Sequence, residues 1–388
     1  MSRTCWMGRC NLVPIAGLLA VTIGVAACGG SSSPSASTGS SGSNDSGKIA
    51  AAKQVVADAE KATTFSGSTD PLDRAKVQGK TVYFIEAQGN NIFVSTIAQH
   101  FKEAAALIGL KPVILDGHQN PSDFNAYIQQ GIRQKVDAIV LQNVGLEVPN
   151  ALSAAKQAGI PVIVSGETSA NLPRLNNTAA AVGVNTYQIG KVQAALAVSM
   201  SGTKVHAIGL GGKELPQDPV QWNGQRDGLK ELCGDSCSYD TSPISLNTFQ
   251  TATAPSVRTM VASKPDLNWM FPDWDILATY VAAGLHQANA LDRVKFSSWN
   301  GIQAALDMVR AGTEVATIGV SLKQWGWQLA DTTARLIGGQ SSNLNVALPT
   351  RLLTTDALKS MSPWPPSDGE LYGNDNVYSE FKKAWGVS

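Results

Sequence analysis

From Lys80 onward the sequence alternates between two patterns, and this alternation restricts the fold more than any other feature. TVYFIEA is an almost unbroken apolar run. NIFVSTIAQHFKEAAALIG follows it, with Phe93, Ile97 and Phe101 at helical spacing on one face. PVILD, DAIVLQ and IPVIVS repeat the first pattern, while PSDFNAYIQQGIRQ and VPNALSAAKQAG repeat the second. A strand that is apolar at successive positions is buried on both faces. Such strands, each followed by an amphipathic helix, predict a parallel sheet covered by helices on both sides.

The alternation pauses at AAAVGVNT and begins afresh. Helix YQIGKVQAALAVSM leads to strand KVHAIGL, VQWNGQRDGLKEL to SYDTSPISL, PSVRTMVAS to LNWMFP, and DILATYVAAGLHQAN to RVKFSSW. IQAALDMVRAG then leads to EVATIGVS, and KQWGWQLADTTARLIGG with a strand near NVALPTRLLTT closes the core. A chain of 388 residues is long enough for two core-bearing units. The expected fold is therefore α/β, with two doubly wound parallel-sheet lobes. Ligands in such sheets bind beyond the carboxyl ends of the strands, so the cleft between the lobes is the expected site.

The N-terminus carries a different message. Arg3 and Arg9 precede an apolar run from Leu12 to Ala27, which ends in VAACGG. A basic segment, a short apolar segment and small residues at a cleavage point describe an export signal, and the run is too short for a membrane-spanning helix of about 20 residues. Cys28 follows the small residues, an arrangement that resembles the lipobox of a bacterial lipoprotein; the alternative is an ordinary secretory signal with an incidental cysteine. Residues 1–27 are thus expected to be a signal peptide, with Cys28 the lipidated first residue of the mature chain. The following GGSSSPSASTGSSGSNDSG is a flexible tether within an anchored extension over 28–79. Beyond Cys5, Cys10 and Cys28 only Cys233 and Cys237 remain, in LCGDSCS. An oxidising exterior favours a local disulfide between them. A metal site would need two further ligands, and the four histidines do not cluster nearby, so no metal is expected.

Several function classes find no support. Thirty basic residues balance thirty acidic ones, so no net field draws the chain to nucleic acid. No Gly-x-Ser-x-Gly elbow, Walker loop or complete dinucleotide fingerprint occurs in the folded region, so neither catalysis nor a cofactor is expected.

Taken in order, GNNIFVSTIAQHF, QGIRQKVDAIVLQN, KQAGIPVIV, KPDLNWMFPDWDILATYVAAGL and SSWNGIQAAL resemble the ribose-type (type I) periplasmic sugar-binding proteins of ABC importers over about residues 80–355. That resemblance implies three hinge strands joining the lobes, with crossings near 182–184, 319–321 and 346–348. The N-terminal lobe would then comprise 80–183 plus 321–347, the C-terminal lobe 184–320 plus 348–360, and a tail 361–388. It implies a small-molecule ligand, delivery to an ABC permease in the membrane, and a monomer. A receptor feeding a signalling protein would share the same fold and cleft. A DNA-binding repressor is excluded, because an export signal stands where its helix-turn-helix would be needed.

By the same resemblance Asn90, Ile92 and Phe93 occupy the positions of a polar residue and aromatics after the first strand, and Asn143 that of an asparagine after the third. Elsewhere the chain departs from the family. The Asp-Arg pair ending the fourth strand reads Gly166-Glu167, the C-lobe arginine is Gln225, Trp274 replaces a polar residue, and Asn300 replaces an aspartate. Sugar hydroxyls are held by charged side chains and planar amides. This cleft keeps amides, loses charge and gains indole surface from Trp274 and Trp222, with Trp299 pointing to either core or cleft. The ligand expected is sugar-like or a polyol; a flatter aromatic or nucleoside-like molecule is the alternative. Glu167 reads either as a ligand contact or as a solvated turn acid. Asp273 and Asp275 read as ligand contacts or as helix-start acids, which complement the amide dipoles.

Overall fold

The structure is a computed structural model that describes residues 41–142, 148–167, 175–212, 214–342 and 344–387. The proposed signal peptide and Cys28 lie outside the described residues.

Two helices, α1 (Ser41–Ala59) and α2 (Arg74–Val77), precede the sheets, so the last residues of the Gly/Ser stretch are helical rather than extended tether. The first unit runs β1 (Thr81–Glu86), α3 (Ile92–Ile108), β2 (Lys111–Asp116), α4 (Pro121–Gln134), β3 (Ala138–Gln142), α5 (Pro149–Gln157), β4 (Val162–Glu167) and β5 (Ala180–Val184). The second begins α6 (Thr186–Ser201), β6 (His206–Gly211), α7 (Gln217–Cys233), β7 (Ser238–Pro243), α8 (Phe249–Ser263) and β8 (Trp269–Pro272). It continues α9 (Asp275–Gln287), β9 (Lys295–Asn300), α10 (Gln303–Ala311) and β10 (Ala316–Gly319). The chain closes with α11 (Leu322–Ile337), β11 (Asn345–Ala347), β12 (Arg351–Thr354), α12 (Thr355–Ser360), α13 (Asp368–Tyr372) and α14 (Val377–Trp385).

Local chemistry sets the helix starts. Asn91, Asn120, Asn185 and Ser321 each accept a backbone N–H of the helix that follows, satisfying donors the first turn leaves free. Pro255 falls inside α8, which starts at Phe249, so that helix begins a turn and a half before the proline from which the sequence pattern starts it.

The strands assemble into two six-stranded sheets of order β11-β5-β4-β3-β1-β2 and β12-β10-β9-β8-β6-β7. All pairings are parallel except β10 with β12. Each sheet is doubly wound, and the chain passes between them three times, after β5, β10 and β11. In each sheet the strand order reverses once, between β1 and β3 and between β6 and β8. At a reversal the connecting segments leave in opposite directions and open a crevice at the carboxyl edge.

Within 361–388, which carried no sequence expectation beyond a tail, the described residues 361–387 pack onto the sheets' helices. Trp385 stacks on Trp327 of α11 at 5.1 Å and donates its indole N–H to Asp331 at 2.7 Å. Asp331 is also paired with the fully buried Arg335, whose guanidinium reaches the carbonyl of Asp70 at 2.9 Å. The Cys233–Cys237 disulfide is formed, closing the turn after α7.

Candidate ligand-binding site

At the first reversal the polar residues that end the buried strands fall into one row. The register pairs Glu86 with Asp116 and Gln142 with Ser165, and Ile85 opposite Leu141 sets Glu86 beside Gln142. Because side chains alternate along a strand, these four share one face at the carboxyl edge. Two of them are satisfied within the protein. Asp116 Oδ1 accepts the N–H of Gly89 at 3.0 Å and of His118 at 2.8 Å, and Ser165 Oγ accepts the Trp325 indole N–H at 3.0 Å. The other two are not. Gln142 is 1% exposed and neither end of its amide has a partner. Glu86 is 8% exposed, and among the described residues no donor reaches its carboxylate. Burial, with the charge of Asp116 beside it, holds the Glu86 carboxyl above the usual range. The two acids face each other over Gly89, where a Cβ would stand 2.7 Å from Asp116 Oδ2 and 2.8 Å from Glu86 Oε1.

The second reversal carries a matching arrangement. Gly211 ends β6 and Asp273 directly follows β8. A Cβ on Gly211 would overlap Asp273 Oδ2 and stand 2.7 Å from Asp218 Oδ2, so the two carboxylates converge over the glycine. Asp218, in the first turn of α7, accepts the Gly212 N–H at 2.6 Å. Asp273 Oδ1 accepts from Gln225 Nε2 at 3.3 Å, whereas Oδ2 has no partner. Asp218 and Asp273 are 2% and 1% exposed. Burial pushes both carboxyls well above the carboxylate range; the charge of Asp218 raises Asp273 further, and that of Glu214 raises Asp218. The Trp222 indole N–H lies close enough to draw Asp273 down slightly, without a well-aligned hydrogen bond.

Aromatic side chains bring the two edges together. Phe93, in the first turn of α3, meets Trp325 edge-on at 5.6 Å and Trp299 of β9 at 6.2 Å. Continuing the β8–β9 register places Asp273 beside Trp299 on the same face. The Trp299 indole N–H is buried without a partner. The contact of Phe93 with Trp299 therefore joins the edge that holds Glu86 and Gln142 to the edge that holds Asp273.

The residues singled out from the sequence fall around this crevice in different roles. Asn90 is exposed in the turn before α3, and Ile92 is 59% exposed. Phe93 is buried against Trp299 and Trp325, and Trp222 is half-buried with its indole N–H near Asp273. Gln225 is fully buried and engaged at both ends, donating to Gln193 and Asp273 and accepting from Tyr239 at 2.6 Å, so it positions Asp273. Trp274 is half-buried and rests edge-on against Phe249 at 6.1 Å. Asn300 has φ +146°, a strained backbone for a residue with a side chain, and its Oδ1 accepts the Asp275 N–H at 3.3 Å. Asn143 lies outside the described residues. Glu167 ends β4 opposite Val184, and its side chain is likewise outside what is described.

Asp275 is a structural acid. It accepts from Ser298, Thr317, Gly301 and Ile302, all within 2.8 Å. Sequence reasoning passed over Glu86, Gln142 and Asp218, and it read Trp325, on a predicted helix, as packing. A usable signal existed for the first two, because the apolar runs TVYFIE and AIVLQ each end on a polar residue at the carboxyl edge.

Among solved structures, the chain is similar to an ABC transporter solute binding protein from Agrobacterium vitis with bound allitol: 19% identity, TM-score 0.64, covering 73% of this chain and 97% of that one. A solute binding protein from Bacillus halodurans with bound myo-inositol gives 17% identity and a TM-score of 0.64, over 72% of this chain and 96% of that one. A Mycobacterium smegmatis protein in complex with β-D-fucofuranose gives 14% identity and a TM-score of 0.65, over 79% and 98%. At these identities the likeness is one of fold. No curated protein sequence matches the chain. The sequence over residues 82–341 matches the periplasmic binding protein domain, well over half of the chain, and the protein belongs to that family.

Proposed function

We propose that this chain is the extracytoplasmic binding component of an ABC importer, held at the membrane by a lipid on Cys28, and that it captures a small sugar-like or polyol ligand in the crevice between its sheets. One observation carries the reading: buried polar groups without partners, Gln142 at the first strand-order reversal and Trp299 Nε1 one strand from the second, sit where Phe93 and Trp299 bring the two edges together. A buried amide left unpaired costs about 1–3 kcal/mol, a cost that ligand hydroxyls meeting it would remove. Relatives of the same fold bound to allitol, myo-inositol and β-D-fucofuranose support a polyhydroxylated ligand. Phe93, Trp299 and Trp222 are the proposed apolar faces for the ring, with Asn143 and Glu167 as further proposed ligand contacts.

Transport then follows from a shift of population. A ligand that touches both edges only when they are together stabilises the closed form by its differential contact, and the permease reads that form. The chain's own part is binding and presentation rather than bond-making.

A thermal-shift screen of sugars, polyols, nucleosides and small aromatics tests this. A ligand at 100 times its dissociation constant adds about 2.7 kcal/mol of apparent stability. At least one sugar or polyol is expected to raise the unfolding temperature and change tryptophan fluorescence; a response confined to nucleosides or aromatics would overturn the ligand class. Cys28→Ser is expected to move the protein from the membrane fraction to the soluble fraction, and its retention would overturn the anchor.

A further inference from the structure

The sugar and polyol reading accounts for an amide and an indole but not for the acids. Asp273 Oδ2 is buried and unpartnered, and it converges with Asp218 Oδ2 over Gly211. Among the described residues, Asp218 has only a backbone donor. On the facing edge Glu86 lies against Asp116, beside the unpartnered carbonyl oxygen of Gln142. Among the described residues, none of Glu86, Asp218 or Asp273 forms an ion pair with a lysine, arginine or histidine. Arg226, which follows Gln225 on the same helix, turns its guanidinium to Asp227 instead.

A lone ligand hydroxyl serves such a place only in part. It offers one proton to two converging carboxyl groups and brings no charge. A protonated amine offers three donors on one atom and a unit positive charge, and charge-assisted bonds are the strong ones. A bare divalent cation fits less well, because hard cations take six or more oxygens. No group of three acidic, histidine or cysteine side chains among the described residues is placed to hold one. Trp222 and Trp299 flank Asp273 with indole surface, which also favours an organic cation.

We propose that the group seated at Asp273 and Asp218 is a protonated amine, so that the captured ligand is an amino sugar or an aminocyclitol rather than a plain sugar or polyol. The proposal rests on the sugar-binding reading and narrows it. Asp273 and Asp218 hold the ammonium, Gln225 fixes Asp273 in place, and Gln142 with the Trp299 N–H meets the hydroxyls.

Isothermal titration of the purified protein against matched pairs tests this: glucosamine with glucose, galactosamine with galactose, mannosamine with mannose, and an aminodeoxy-inositol with myo-inositol. In at least one pair the amine is expected to bind at least tenfold more tightly than its hydroxyl counterpart, and N-acetylation, which removes the charge, to abolish the gain. Asp273→Asn is expected to lower affinity for that amine at least tenfold and for the hydroxyl partner no more than twofold; Asp218→Asn should act in the same direction. Asp273→Asn should also unfold at the same temperature as the parent or higher, since a buried amide is less costly than a buried unpaired carboxyl. A marked fall in unfolding temperature would make Asp273 a structural residue and overturn the proposal. Hydroxyl forms that bind as well as or better than the amines would overturn it while leaving the sugar-binding reading intact, the two carboxyls then sharing a proton. Failure of every member of every pair to bind would overturn both.

Discussion

Convergence of two acids over Gly211 can be tested without any ligand. Gly211 has ordinary backbone geometry, so alanine is tolerated there by the main chain and the consequence comes from space alone. The added Cβ overlaps Asp273 Oδ2 and approaches Asp218 Oδ2 to 2.7 Å. Both oxygens end short, buried side chains with little room to swing. Overpacking of this kind costs about 1–3 kcal/mol, and the overlap with Asp273 places Gly211→Ala toward the upper end. In an Asp273→Ala background the overlapped atom is gone. There the same change should cost less than about 1 kcal/mol, because a glycine-to-alanine change at a compatible position itself stabilises by about 0.4–1 kcal/mol. The cycle should therefore show a coupling of about 2 kcal/mol or more, within the range for residues in contact. Urea unfolding followed by tryptophan fluorescence measures all four proteins. Equal costs of Gly211→Ala in the two backgrounds would refute the convergence.

Two further outcomes follow from buried charge. Asp331→Ala leaves Arg335 buried without its carboxylate and removes the acceptor of the Trp385 indole, so it should cost about 3–5 kcal/mol in urea unfolding. Glu314 is fully buried, and burial together with the nearby Asp275 holds its carboxyl well above the usual range. Ser298 Oγ lies 2.6 Å from both Glu314 Oε1 and Asp275 Oδ1, and its single hydrogen serves one of them only, which agrees with a Glu314 carboxyl held above its usual range. A folded-state value raised above the unfolded one gives stability that is complete below about pH 4.3 and lost as pH rises toward the folded value. The parent should thus lose stability as pH rises above about 4.3, and Glu314→Gln should lose less over the same range; equal slopes would refute a raised Glu314 value.

What the sequence alone determined is what depends on near neighbours. Most unbroken apolar runs formed strands buried on both faces, although PVILD forms the edge strand β2 and is partly exposed along its length, and the amphipathic segments between them formed covering helices. Their repetition required two parallel sheets, and the pause at AAAVGVNT marked the passage between them. Asparagine and serine at the helix starts act on amides two or three residues away, so they too were legible. The short spacing of Cys233 and Cys237 fell within the same reach.

Only the tertiary structure decided which polar side chains meet. Asp273 and Asp218 come from different elements and converge because β6 lies beside β8 and ends in a glycine. Glu86 and Gln142 form a row because the register of β1 and β3 aligns the ends of two separate runs. Trp325 read as helix packing, yet its indole serves Ser165 and its ring meets Phe93, since α11 crosses the first sheet's face. Gln225 stood at a position expected to touch ligand, and its environment instead spends both ends of its amide on Gln193, Asp273 and Tyr239. Register and parity along each strand, set by packing across the whole sheet, place these side chains, and no local pattern in the chain encodes them.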